Sequence, residues 1–172
     1  MAVLKVWLPV PPRQKERARA TTVPIGPKCP RCKKFPTRPK LYTPKATEKW
    51  EEDVAALLRR AAHQVGIRDP MNGPIRVTVD FVKARTASRP GPSNAQQKLA
   101  RHWYVTPEAW ATGARVLAPT KPDVDNYGKA ILDSINKARL WWDDSQVCTI
   151  TLRKWYAATG EEPGILVRIE PA

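Results

Sequence analysis

The chain predicts an α/β fold: a small mixed β-sheet with two main helices, in the order β-α-β-(insertion)-α-β-β. Three observations carry this. Residues 75–82 alternate strictly, with Ile75, Val77, Val79 and Phe81 set against Arg76, Thr78 and Asp80, the period of a strand with one buried face. Two stretches repeat their apolar residues at helical spacing instead: Trp50, Val54, Leu57, Leu58 and Ala61, then Tyr127, Ile131, Ile135 and Ala138. The segments 3–8, 147–156 and 165–169 are rich in strand formers and bounded by Pro or Gly. Helical and strand signals interleave along the chain, which favours packed layers of both kinds. At 172 residues with 42% hydrophobic content, a single domain spanning 1–172 is expected.

Each element has its own local reason. Val3-Leu4-Lys5-Val6-Trp7-Leu8 reads as a first strand, stopped by Pro9, Pro11 and Pro12. Residues 13–40 are rich in Lys, Arg and Pro with little periodicity, so they read as a loop or flexible arm. A helix is expected to start near Pro44, with Thr47 as its cap, and to end near Gly66 before Asp69-Pro70. After the strand at 75–82, residues 84–119 show no clean period and read as a long insertion. Arg85, Arg89, Lys98, Arg101, His102, Trp103, Tyr104 and Trp110 interleave charge and aromatic rings there. That suits phosphate contact and base stacking; aromatics buried against the parent domain explain it equally well. Asp125 is expected to cap a helix running to about Ala138. A turn at Trp141-Trp142-Asp143-Asp144 and two further strands close the chain.

Charge is divided unevenly. The formal net charge is +14. Residues 1–45 carry 12 Lys/Arg against one acid, Glu16, whereas residues 121–172 carry seven against eight acids. A basic footprint beside an acidic centre points to a polyanion bound near a reactive site, and nucleic acid is the obvious polyanion. Arg13, Lys15, Arg17, Arg19 and Lys121 are the candidate DNA contacts. No apolar run approaches the length of a membrane span, and residues 1–10 lack a signal-peptide pattern. No membrane association and a cytoplasmic location, in a bacterial or phage-infected cell, are therefore expected. Three cysteines make a disulfide framework a poor reading. Cys29 and Cys32 have half the ligands of a structural zinc site; with only Cys148, His63 and His102 in reserve, two free thiols are expected there and structural zinc is not.

The chemistry concentrates in two segments. Lys121-Pro122-Asp123-Val124-Asp125-Asn126 and Trp142-Asp143-Asp144-Ser145-Gln146-Val147 together hold four carboxylates. Carboxylate oxygens suit hard divalent cations such as Mg²⁺. Asp123 and Asp125, two apart, share one side of an extended segment. Lys129, one turn after Asp125, is a natural cation for charge developing on a phosphate. Taken singly, each residue has a plain reading: Asp125 as a helix cap, Lys129 as its ion-pair partner, Asp143-Asp144 as a turn. Whether the second acidic pair folds back to the first is left open by the sequence.

These segments resemble the RusA-like Holliday junction resolvases. The family pattern is approximately K/R-P-D-x-D-N-hydrophobic-x-K, a Leu-Asp-Ala-like helix, then aromatic-x-D-D-x-Q-V. Here it stands as Lys121 to Lys129, then Ile131-Leu132-Asp133-Ser134-Ile135-Asn136, then Trp142 to Val147, with a weaker match at Leu8-Pro9-Val10-Pro11-Pro12. The resemblance implies a RusA-like fold and Mg²⁺-dependent cleavage of four-way DNA junctions by a homodimer, with paired symmetric nicks. The implied ion is Mg²⁺, with Mn²⁺ as the alternative. It implies essential acids at Asp123, Asp125 and Asp144, an essential lysine at Lys129, and Asp143 as a supporting metal ligand. A less selective nuclease on flaps or forks, and a DNA-binding protein that never cuts, are the rival readings. The long segment at 84–119 and Cys29-Pro30-Arg31-Cys32 depart from the compact pattern and bear on substrate preference.

Overall fold

The computed structural model describes residues 3–90 and 105–172. Its centre is a five-stranded mixed sheet in the spatial order β1-β7-β4-β6-β5. The strands are β1 (Leu4–Leu8), β4 (Ile75–Lys83), β5 (Val116–Leu117), β6 (Val147–Tyr156) and β7 (Gly164–Pro171). All neighbours are antiparallel except β4 and β6, which run parallel. A separate antiparallel hairpin joins β2 (Arg19–Pro24) to β3 (Thr37–Tyr42). The helices are α1 (Lys45–Gln64), α2 (Pro107–Ala111) and α3 (Val124–Ala138). No helix among the described residues is long and apolar enough to cross a membrane.

The core forms where the alternation of the strands meets the stripes of the helices. Ile75, Val77, Val79 and Phe81 are buried, as are Val54, Leu58, Tyr127, Ile131 and Ile135, and one contiguous cluster contains all of them. Phe81 stacks on Tyr127 at 5.1 Å between ring centroids, tying β4 to the start of α3. Gly128 lets α3 approach β6 closely, since a Cβ there would collide with Leu152. The stripe on α1 is wider than its spacing suggested: Ala55, Ala62 and the carboxylate-bearing Glu51 are buried too.

Several boundaries differ from expectation. Residues 13–40 are not a featureless arm, because β2 and β3 pair over six residue positions. Almost every side chain in that hairpin is exposed, so there was no buried face to leave an apolar period. Pro44, not Thr47, is the N-cap of α1, and Thr47 is buried in the first turn. Asp123, not Asp125, occupies the N-cap position of α3. The insertion carries α2 and β5. Its Trp110 packs edge-on against Tyr156 at 5.5 Å and lies under the Arg85 guanidinium, which favours the buried-aromatic reading for that residue pair. Lys98, Arg101, His102, Trp103 and Tyr104 lie outside the described residues.

Candidate functional site

The extended segment before α3 is held by two lysines. Lys83, at the end of β4, donates to Thr120 Oγ1 (3.2 Å) and to the carbonyl of Lys121 (3.0 Å). Lys154, on β6, donates to the carbonyls of Thr120 and Pro122, the latter at 2.6 Å. Burial pushes both ammonium groups below the ordinary lysine range, with Lys154 adding to the effect on Lys83. Asp123 offsets part of the loss at Lys154. The pair therefore acts as a clamp that fixes the backbone from which Asp123 projects. Neither lysine stood out in the sequence, where both read as polar positions in or beside a strand.

Asp123 sits at the N-cap of α3 yet makes no side-chain capping hydrogen bond. An Asp at this position ordinarily accepts from the first turn, so its exposed carboxylate is left for another partner. Asp125 lies in the first turn, where the helix dipole favours negative charge. Lys129 Nζ donates to its Oδ2 at 3.1 Å, and both side chains are exposed. That hydrogen bond and charge hold the Asp125 carboxyl below the usual carboxylate range. An open groove runs along Lys121, Asp123 and Asn126 with Gln14, and continues past Lys15, Arg17 and Arg19.

The basic arm reaches this groove but is partly tied down. The Lys15 backbone N–H donates to the carbonyl of Asn126 at 2.9 Å. Its ammonium bridges Glu51 on α1 (2.6 Å) and Asp133 on α3. Lys137 closes on the same Glu51 at 2.9 Å. Burial works against the Lys15 charge, but Asp133 and Glu51 outweigh it and hold the group above the ordinary lysine value. Arg13 pairs with Glu16 at 2.8 Å, and Arg19 stands 3.5 Å from the same carboxylate. Of the five expected DNA contacts, Lys15 is thus committed to joining the arm to both helices. Arg17 and Lys121 have no acidic partner among the described residues.

The second acidic pair is built by a capped turn. Asp143 Oδ1 accepts from Ser145 N–H at 2.8 Å. Gln146 Oε1 accepts in return from the backbone of Trp142 (2.8 Å) and Asp143 (3.1 Å). These bonds form a capping box, legible in the Asp143-x-x-Gln146 spacing. The Gln146 amide also donates to the carbonyls of Met71 and Gly73. The Ser145 bonds lower the Asp143 carboxyl below its usual range. Asp143 is therefore occupied as a cap, while Asp144 is exposed and its carboxylate has no hydrogen bond or ion pair among the described residues.

The structure does not bring the two acidic pairs together within one chain. α3 runs antiparallel to β6, so its N-terminus lies beside Lys154 and its C-terminus beside the turn that begins β6. Asp123 and Asp125 stand at one end of the 15-residue helix and Asp143 and Asp144 beyond the other. At 1.5 Å per residue the helix alone separates them by about 22 Å. Among the described residues no three His, Cys, Asp or Glu side chains gather as metal ligands. Cys29 and Cys32 lie at the turn of the β2–β3 hairpin and Cys148 on β6, all as free thiols.

Residues 9–170 match the family model described as Endodeoxyribonuclease RusA. The chain belongs to the RusA endodeoxyribonuclease family. That match covers nearly the whole chain, including the hairpin and the insertion, and its mixed α/β architecture is the RusA-like fold expected from the motifs. A 50-residue stretch is also 46% identical to the uncharacterized protein YqaN of Bacillus subtilis (strain 168), covering 29% of this chain and 32% of that protein. The matched range includes both acidic segments described above.

Proposed function

We propose that this RusA-family chain is an endodeoxyribonuclease that resolves four-way DNA junctions by paired symmetric nicks, with Mg²⁺ as its cofactor and a homodimer as its working form. The observation that supports it most is the uncapped Asp123 beside Asp125 and Lys129 on a clamped segment. A carboxylate at a helix N-cap with no cap to make is otherwise unexplained.

The donor set fits a hard cation. Asp123 and Asp125, at the start of α3, offer only oxygen ligands, and Mg²⁺ is commonly held by one or two carboxylates together with substrate phosphate. When bound, the ion supplies positive charge to the scissile phosphate and lowers the pKa of a bound water. The chain's own residues do the rest. The Lys83–Lys154 clamp keeps the Asp123 backbone in place, so little reorganisation accompanies catalysis. Lys129 holds Asp125 ionised and presents an ammonium to the charge that develops as the phosphodiester bond breaks. Arg17 and Lys121, along the groove, offer cations for the DNA backbone and so position it without reading its sequence.

A labelled four-way junction, a flap, a fork and a plain duplex, each with Mg²⁺, provide the test. The wild-type protein should nick the junction in symmetric pairs. Asp125→Asn should abolish cleavage and leave junction binding unchanged, because it alters a ligand oxygen and not the basic surface. Normal cutting by that variant would show the site to lie elsewhere. Flaps or forks cut at similar rates would make the protein a general branch nuclease, and binding without cutting would leave a DNA-binding protein.

A further inference from the structure

The turn of the β2–β3 hairpin carries a motif that the nuclease reading leaves unused, Cys29-Pro30-Arg31-Cys32. The strand ladder ends at Pro24 and Thr37, and the Ile25 N–H extends it by one bond to the Pro36 carbonyl at 2.9 Å. Beyond that point the backbone is tightly tied. The Cys29 N–H donates to the Lys34 carbonyl at 2.8 Å, and the Lys33 N–H donates to the Cys29 carbonyl at 2.9 Å. Lys33, directly after the second cysteine, takes φ 59°, a left-handed conformation uncommon for a residue other than glycine. The backbone N–H groups of Cys32 and Arg31 donate to the Cys29 sulfur, and the Cys32 thiol reaches it as well. These bonds, the Cys32 N–H foremost, hold the Cys29 thiol below the ordinary cysteine range.

This is the geometry of a metal knuckle. The turn gathers two sulfurs within hydrogen-bond reach and aims N–H donors at one of them. Such donors favour the thiolate, which is the form that binds metal. The surroundings act in the same direction. From Arg17 to Thr47 the sequence holds no Asp, Glu or His, whereas Lys28, Arg31, Lys33, Lys34, Arg38 and Lys40 fall in that span. The hairpin also lacks a packed face: every residue of β3 and all but one of β2 are exposed. A two-stranded hairpin of this kind is marginal in water and gains from a staple. Six ladder pairs place the turn about 20 Å from the base of the hairpin. Cys29 is half-buried there and Cys32 exposed, so a partner can reach both thiols.

A structural zinc site takes four ligands, and one turn supplies two. Among the described residues no third His, Cys, Asp or Glu of the same chain joins them. The same turn on a second copy supplies the missing pair with the same sulfur-directed donors, and a two-fold axis through the metal makes the halves equivalent. Charge also favours this closure. A divalent ion with four thiolates carries net negative charge, so it sets an anionic centre between two cationic turns and offsets their repulsion.

We propose that Cys29 and Cys32 form half of a tetrathiolate zinc site, completed by Cys29 and Cys32 of a second copy, so that one Zn²⁺ joins two hairpins at their turns. Thiolate sulfur selects zinc, whereas hard Mg²⁺ prefers oxygen. On binding, the four S–H protons pass to solvent and four Zn–S bonds form, with no electron transferred. Protein fills all four positions, so the ion is structural and has no place for water or substrate. The proposal stands independently of the nuclease reading.

Zinc content of the full-length protein provides the test. Kept reduced, loaded with Zn²⁺ and dialysed against metal-free buffer, the wild type should retain one zinc per two chains by elemental analysis. Cys29→Ser and Cys32→Ser should each lose it, and Cys148→Ser should retain as much as the wild type. Loading with Co²⁺ instead should give the intense visible bands of tetrahedral cobalt, with a sulfur-to-cobalt band in the near ultraviolet, in the wild type and Cys148→Ser alone. A dialysed wild type without zinc, zinc retained by Cys29→Ser, or one zinc per chain overturns the proposal. If the serine variants fail to fold, the wild type decides the matter: zinc should protect two thiols per chain from a thiol reagent. Equal thiol counts with and without zinc overturn the site.

Discussion

Asp125 and Asp143 show how one residue type takes two roles through its neighbours. Asp143 spends its carboxylate on a Ser145 N–H within its own turn. Asp125 turns outward to Lys129, one helical turn away, and remains exposed. The depressed Asp125 pKa has a single first cause, the Lys129 hydrogen bond. A carboxyl with a lowered folded-state pKa stays ionised as pH falls through the ordinary carboxylate range. Lys129→Ala should therefore raise the Asp125 titration midpoint toward that of an unperturbed Asp, read as the pH dependence of its side-chain carboxyl signal by NMR. A midpoint unchanged by the substitution would detach the two residues. The motif made this pairing legible, because i, i+4 spacing on a helix is a local fact. The uncapped state of Asp123 was not legible, since it depends on a backbone held from outside by Lys83 and Lys154.

At the scale of elements, the turn into β6 is fastened at several points by one side chain. Gln146 bonds two backbone N–H groups of its own turn and two carbonyls in the loop before β4. Gln146→Ala leaves those groups without their partner. It should cost about 0.5–1.5 kcal/mol, the net scale of intramolecular hydrogen bonds at a largely exposed turn, measured by urea unfolding. Because Asp144 lies in the same turn, cleavage should fall more than junction binding does. Equal stability in the variant would mean that water replaces the amide without loss. The segment Trp141-Trp142-Asp143-Asp144 read as a turn from its sequence; the bonds from Gln146 to Met71 and Gly73 are long-range and left no local signal. The hairpin of β2 and β3 was missed for the opposite reason. It buries no face, so its strands have a backbone ladder and no apolar period to announce them.

Across the whole molecule, basic charge divides into a structural share and a free share. Lys15 and Lys137 converge on Glu51, which is 2% exposed, and so join the arm, α1 and α3. Neutralising Lys15 removes a partner from a nearly buried carboxylate and should lower stability. Neutralising Arg17 or Lys121 removes a cation that faces the groove. For those two, junction affinity should fall with stability unchanged, and the slope of log affinity against log salt should shrink by about one for each phosphate left without its cation. A Lys15→Met variant that stays as stable as wild type, or an Arg17→Ala variant with an unchanged slope, would reverse the division. Composition gave the total charge and its bias to the first 45 residues, but not which cations had already found carboxylates.

The sequence by itself determined the α/β class, the two helical stripes, the buried face of β4 and the two acidic segments, because each is written in a short-range period or spacing. It also carried the RusA-like motif that residues 9–170 bear out. Only the tertiary structure decided that α3 runs antiparallel to β6. That direction separates the acidic pairs; the tertiary structure likewise committed Lys15 to Glu51 and Asp133 and paired β5 with β6 only at Trp155 and Tyr156. The physical reason is common to all three: they depend on how elements distant in sequence pack, and a contact between such elements leaves no period in either of them.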